Sequence, residues 1–147
     1  MTLLEELKNA MKEAMRAKEK LRLGTIRMAL AAVKQKEVDE RVEVTDSDVI
    51  ALLTKMVKQR KDAAQQFEQA GRNDLMETEL AEIEILSGFL PQALSASELD
   101  DLIQQALTDT QAAGMQDMGK VMAWLKPKVQ GRADMGKLSG QIKAKLG

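Results

Sequence analysis

Five basic side chains near one end of this sequence, Lys120, Lys126, Lys128, Arg132 and Lys137, are the residues whose type and spacing point most clearly to a chemistry, and that chemistry is the binding of anions. Lysine brings a compact point charge, whereas the planar arginine fork can hold two oxygens of one phosphate. They fall within QDMGKVMAWLKPKVQGRADMGKLSGQIKAKL, Gln116 to Leu146, together with the only tryptophan, Trp124, and four glycines. From Met115 to Gly147 seven Lys or Arg stand against two acids, a local charge of +5, while the preceding 114 residues sum to −6. The overall −1 hides this polarity. A basic patch on a near-neutral chain faces an anionic partner, because lysine and arginine neutralise phosphates and release their counterions. Gly119, Gly131 and Gly136 permit close approach of the backbone to a ligand, and the amides that open the last two helices are potential anion sites.

Other chemistries fare worse. The chain has no cysteine and no histidine, which excludes disulfides, thiolate metal sites and nucleophile-base pairs built on either residue. Gly114 to Val121 and Gly131 to Leu138 both spell Gly-x-x-x-x-Gly-Lys, the opening of a phosphate-binding loop. Val121 and Leu138 stand where a magnesium-binding Ser or Thr is required, however, and neither segment follows a strand. Glu77, Glu79, Glu82 and Glu84 raise a metal hypothesis, but carboxylate-bridged di-metal bundles pair glutamates with histidines. These glutamates read instead as a solvated face partnering Arg60, Lys61 and Arg72. No catalytic residue, metal or cofactor is expected.

The elements that must hold the basic residues are helices, and the expected fold is all-α. Aromatics and prolines are scarce and methionines number ten, and apolar residues recur at three and four. Thr2 to Glu5 has the spacing of a capping box, followed by Leu3, Leu4, Leu7, Met11, Ala14 and Met15 on one face. A second helix runs from about Lys20 to Arg41, with Leu23, Ile26, Leu30 and Val33 inward and Gly24 admitting a neighbour. Val44 and Val49 form a staple around Thr45 for the third. Arg60, beside its stripe, is expected to pair with a carboxylate of the next helix. The turn at Gly71 leads to a fourth helix, capped by Asn73 or Asp74, with Leu80, Ile83, Leu86 and Leu90 on one face until Pro91 stops it. Ser95 to Glu98, stapled by Leu94 and Leu99, opens a fifth that reaches Ala113. Asp117 caps a sixth, interrupted at Pro127, and Asp134 caps a seventh. The expected division is an N-terminal helical domain of about four helices, residues 1–91, and a C-terminal three-helix basic domain, residues 92–147.

Arg60-Lys61-Asp62, Ala70-Gly71-Arg72-Asn73-Asp74-Leu75, Glu79, Glu82-Ile83, Phe89-Leu90-Pro91, Gly119-Lys120-Val121-Met122 and Gly131-Arg132-Ala133-Asp134 occur in this order. In that combination the chain resembles the GatB/YqeY family, and more narrowly its stand-alone YqeY-like members, over nearly its full length. One departure is Met135, which intervenes before Gly136-Lys137. The resemblance implies a helical protein in two parts. It also implies association with tRNA-dependent amidotransferase, a carbon-nitrogen ligase with glutamine as amido-N-donor, whose B-subunit tail helps hold tRNA. The transamidase chemistry belongs to a different domain, so no catalytic activity is expected of this chain alone.

Two functions follow as expectations. The first is a non-catalytic RNA-binding module, with tRNA as its leading ligand, acting through Lys120, Lys126, Lys128, Arg132 and Lys137; the second is an adaptor that docks on a tRNA-processing or other protein partner through its acidic N-terminal helices without touching RNA. On the first, Lys120→Ala, Arg132→Ala and Lys137→Ala weaken RNA binding and leave thermal stability unchanged or slightly raised. The start of the chain has no apolar run of signal-peptide length, and no run of ~18 apolar residues occurs anywhere. The expectation is a cytoplasmic protein without a membrane segment.

Overall fold

Seven α-helices and one short 3-10 turn, with no strand, make up the structure, a computed structural model that describes residues 1–147. The chain divides into two compact units, Met1–Pro91 and Gln92–Gly147.

The first unit holds α1 (Leu3–Arg16), α2 (Lys20–Glu40), α3 (Asp46–Gln69) and α4 (Asn73–Ser87). Thr2 caps α1 by a full capping box, its hydroxyl accepting the Glu5 amide while the Glu5 carboxylate accepts the Thr2 amide. Thr45 does the same for α3 with Asp48 in place of the usual glutamate. The core gathers Leu3, Leu7, Ile26, Val33, Val49, Leu53 and Leu86, each almost or entirely shielded from solvent.

Several expected positions are corrected. Gly24 admits no neighbour, since a Cβ there meets nothing within 4 Å; it is Thr25 that is buried, its hydroxyl donating to the Leu21 carbonyl at 2.9 Å. Met15 and Leu80 lie on the solvent side at 48% exposure each, Met15 about 100° around α1 from the buried Ala14 and Leu80 about 120° around α4 from the buried Leu86. Neither Asn73 nor Asp74 caps α4 with its side chain; Arg72 is the N-cap, and its guanidinium holds the Asp74 carboxylate through Nε and Nη2 at 3.2 and 3.1 Å. Gly71, at φ +73°, supplies the left-handed turn that lets the Arg72 amide close on the Phe67 carbonyl.

Arg60 of α3 reaches Glu82 of α4 at 2.8 Å with both side chains mostly shielded, and its other nitrogens touch the Met56 carbonyl and Met28 sulfur. This is the pairing expected of an arginine beside an apolar stripe. It also disposes of one of the four glutamates singled out for a metal, and Arg72 turns to Asp74 rather than to that acidic face.

The second unit comprises α5 (Ala96–Asp109), the 3-10 turn Met115–Asp117, α6 (Met118–Val129) and α7 (Met135–Leu146). Ser95 and Glu98 form the capping box of α5. That helix ends four residues before Ala113. Thr108 and Thr110 turn their hydroxyls onto the Gln104 and Ala106 carbonyls, competing with the ladder, and Gln111 adopts φ +53°. Pro127 does not interrupt α6, which runs on to Val129. Proline in the last turn costs only the bond to Ala123, an exposed residue whose carbonyl water can reach. Ile103, Ala106, Val121, Leu125, Val129, Leu138 and Ile142 form a second core.

Candidate nucleic-acid interface

All five proposed contacts lie in the second unit, four of them exposed and Arg132 half-buried. Lys120, Lys126 and Lys128 project from α6. A helix turns about 100° per residue, so Lys120 and Lys128, eight apart, share one side with Trp124 midway between them, while Lys126 points to roughly the opposite side. The structure therefore brings together Lys120 and Lys128 but not Lys126. Lys137 sits in the first turn of α7.

The two near-identical helix starts are built differently. Asp134 is a true N-cap: its Oδ1 accepts the amides of Gly136 at 2.8 Å and Lys137 at 3.3 Å. Those amides, offered by the sequence as an anion site, already hold a carboxylate. A Cβ on Gly136 would come within 3.2 Å of that same oxygen, so the glycine serves the cap. Asp117 makes no side-chain cap to α6 and instead turns back to accept the Ala113 amide at 2.8 Å. That bond, with the charge of Lys120 at 3.7 Å, holds its carboxyl below the usual carboxylate range. Lysine in a first turn, unfavourable against the helix dipole by ~0.3–1 kcal/mol, is thus offset locally at α6 by an aspartate. Gly119 is open, with nothing within 4 Å of a Cβ. Gly131 takes φ +75°, the left-handed turn that joins α6 to α7.

Arg132 has a second task that sequence reasoning missed. Its Nε donates to the Gln92 carbonyl at 2.9 Å, and its own carbonyl accepts the Leu94 amide at 2.9 Å. This reciprocal pair fastens the segment leading into α5 to the α6–α7 turn. A forty-residue separation left no local signal for it. The expectation that Arg132→Ala leaves stability untouched is corrected accordingly. Arg132→Ala should lower the stability of the second unit by about 1 kcal/mol, the net worth of one such hydrogen bond, and Arg132→Lys should recover only part of it. Chemical denaturation followed by Trp124 fluorescence measures this.

No three acidic side chains gather as a metal would need. The groove between Leu3, Ile50, Phe89 and Leu90 carries Glu6 and Asp46 at its edge, and Asp46 is engaged by the Leu3 amide at 3.0 Å. No helix is long and apolar enough to cross a membrane.

Comparison with known proteins gives a family match to Yqey-like protein over residues 4–146. Similar proteins include altered inheritance of mitochondria protein 41, mitochondrial, from Lachancea thermotolerans, 33% identical over 143 residues that cover 92% of this chain and 76% of that protein. The protein of the same name from Kluyveromyces lactis is 37% identical over 147 residues, covering 94% and 72%; that from Pyrenophora tritici-repentis is 32% identical, covering 88% and 72%. The expectation of a cytoplasmic protein is corrected by these relatives, all three of which are named as mitochondrial. A cysteine-free, charged helical chain suits any reducing aqueous compartment, so its composition held no signal that separates one from another.

Proposed function

Starting from the Yqey-like protein family, to which this chain belongs, we propose that it is a non-catalytic RNA-binding helical module with tRNA as its leading ligand, associated with tRNA-dependent amidotransferase without performing the amidation. One observation carries this reading: the +5 of residues 115–147 is displayed by exposed lysines of a small, separately cored unit. A protein needs no such segregation for solubility. Phosphate recognition gives it a use, since each cation placed on a phosphate releases condensed counterions. The resemblance of that unit to the tail of the amidotransferase B subunit supplies the class of RNA.

Binding of unfractionated tRNA, followed across a salt series, tests the proposal. The expected result is affinity that falls linearly in log–log form with a slope of about −2 to −4, the signature of three to five phosphate contacts. No binding at moderate salt, or binding indifferent to salt, overturns it in favour of a protein adaptor. Leu21 and Met28, seven residues apart on α2 and 45% and 42% exposed, give that second reading its apolar surface.

A further inference from the structure

Trp124 is the only tryptophan of the chain. It is half-buried on α6, packed in part against the second core, and the Lys128 ammonium lies 3.9 Å from its ring centroid. Lys128 is itself exposed, so the ring face it covers is the one turned to water. Lys120 stands one turn before Trp124 on the same side of the helix, its ammonium a loose 3.7 Å from Asp117 and 70% exposed. Cation, indole, cation at intervals of four residues is a different instrument from lysines alone. Lysines read only phosphate, whereas an aromatic face accepts the π-surface of any nucleobase that is not already stacked within a helix.

We infer that Trp124 is a base-stacking site that takes one unpaired nucleobase of an RNA loop or end. The base enters over the ring face that Lys128 now shields. The displaced ammonium and that of Lys120 then meet the phosphates on either side of the inserted nucleotide. Lys128 gives up one solvent-exposed cation–π contact for a charge-assisted contact with phosphate, and the indole exchanges a flexible side chain for a flat ring. The inference rests on the reading of this chain as an RNA-binding module and adds to it a preference for unpaired over duplex RNA.

The test uses the full chain with two probes, a short fluorophore-labelled oligouridylate and a labelled blunt duplex RNA of matched length, at one moderate salt concentration. The label reports occupancy, and Trp124, with no other tryptophan to confuse it, reports stacking. Oligouridylate at saturation should quench the tryptophan while the duplex leaves it nearly unchanged. Trp124→Leu should weaken oligouridylate binding about tenfold, within the usual worth of one stacked base, with duplex binding intact; Trp124→Phe should retain most of the affinity. Should Trp124→Leu fail to fold, the parent decides alone: an unquenched tryptophan at saturating oligouridylate overturns the stacking site. If Trp124→Leu binds oligouridylate like the parent while lysine variants lose it, stacking is wrong and RNA binding stands. If the parent binds neither probe, the RNA-binding reading fails and the stacking site with it.

Discussion

Replacing Lys120, Lys128 and Lys137 together by glutamate should lower tRNA affinity on the order of a hundredfold at near-physiological salt and remove most of its salt dependence. Each phosphate contact contributes about 0.7–0.9 to the log–log salt slope and hence somewhat under a factor of ten at ~0.15 M salt. Three lost contacts multiply to the stated figure before repulsion is added. Unfolding would not account for such a loss. Lys137 lies in the first turn of α7, where an acid is favoured by ~0.3–1 kcal/mol over a base, and all three side chains are exposed. Thermal unfolding should therefore stay close to that of the parent. Made one at a time, the substitutions give an internal comparison: the Lys126 side chain leaves α6 on the far side from Lys120 and Lys128, so the effect of Lys126→Glu should be visibly smaller than that of Lys120→Glu or Lys128→Glu. Equal losses at all four positions would mean that the chain senses net charge rather than a defined face.

The second large effect is on stability. Glu82→Ala should destabilise the first unit by about 2 kcal/mol, read from the urea midpoint. Arg60 and Glu82 are 13% and 15% exposed at the side chain, so removing one partner strands a charge that water reaches poorly. Full burial would cost ~3–5 kcal/mol, and the residual exposure, together with the Met56 carbonyl that Arg60 retains, reduces it. Replacing both, as Arg60→Met with Glu82→Leu, should recover most of the loss, because an ion pair held in partial burial repays little more than its own desolvation. If the double variant were as unstable as the single one, the packing of the two side chains, and not their charge, would be what α3 and α4 require.

Helix number and the strongest starts were legible because their causes are local. Thr2 with Glu5, Ser95 with Glu98, and Asp134 ahead of α7 each act within one turn, and each is found. Arg60 with Glu82 was legible for a different reason: a long cation beside an apolar stripe must find an acid on the helix packed against it. What escaped reading depends on distant chain. Asp46 stands in the first turn of α3, yet it bonds the Leu3 amide 43 residues away. Arg132 looked like a free cation in a loop until Gln92 was brought beside it. Asp117 and Asp134 share the same tetrapeptide context and still act oppositely, since the short 3-10 turn before α6 swings Asp117 back toward Ala113. Repeated spelling did not produce repeated geometry. The basic stretch itself was visible from composition, but which of its lysines share a side with Trp124 became clear only once α6 was seen to pass through Pro127 unbroken.

The bond from the Leu3 amide to Asp46 also gives the chain a way of reporting its own assembly. An amide at the start of a helix ordinarily exchanges its proton with water almost at once, for it has no partner within the helix. Here that proton is held by an oxygen belonging to α3, so its exchange rate is set by how often α1 and α3 part rather than by fraying at the helix end. In a hydrogen-exchange experiment Leu3 should be protected well beyond its neighbour Leu4, and Asp46→Ala should erase the difference. A nascent chain could not fasten this end of α1 until the third helix had begun to emerge from the ribosome.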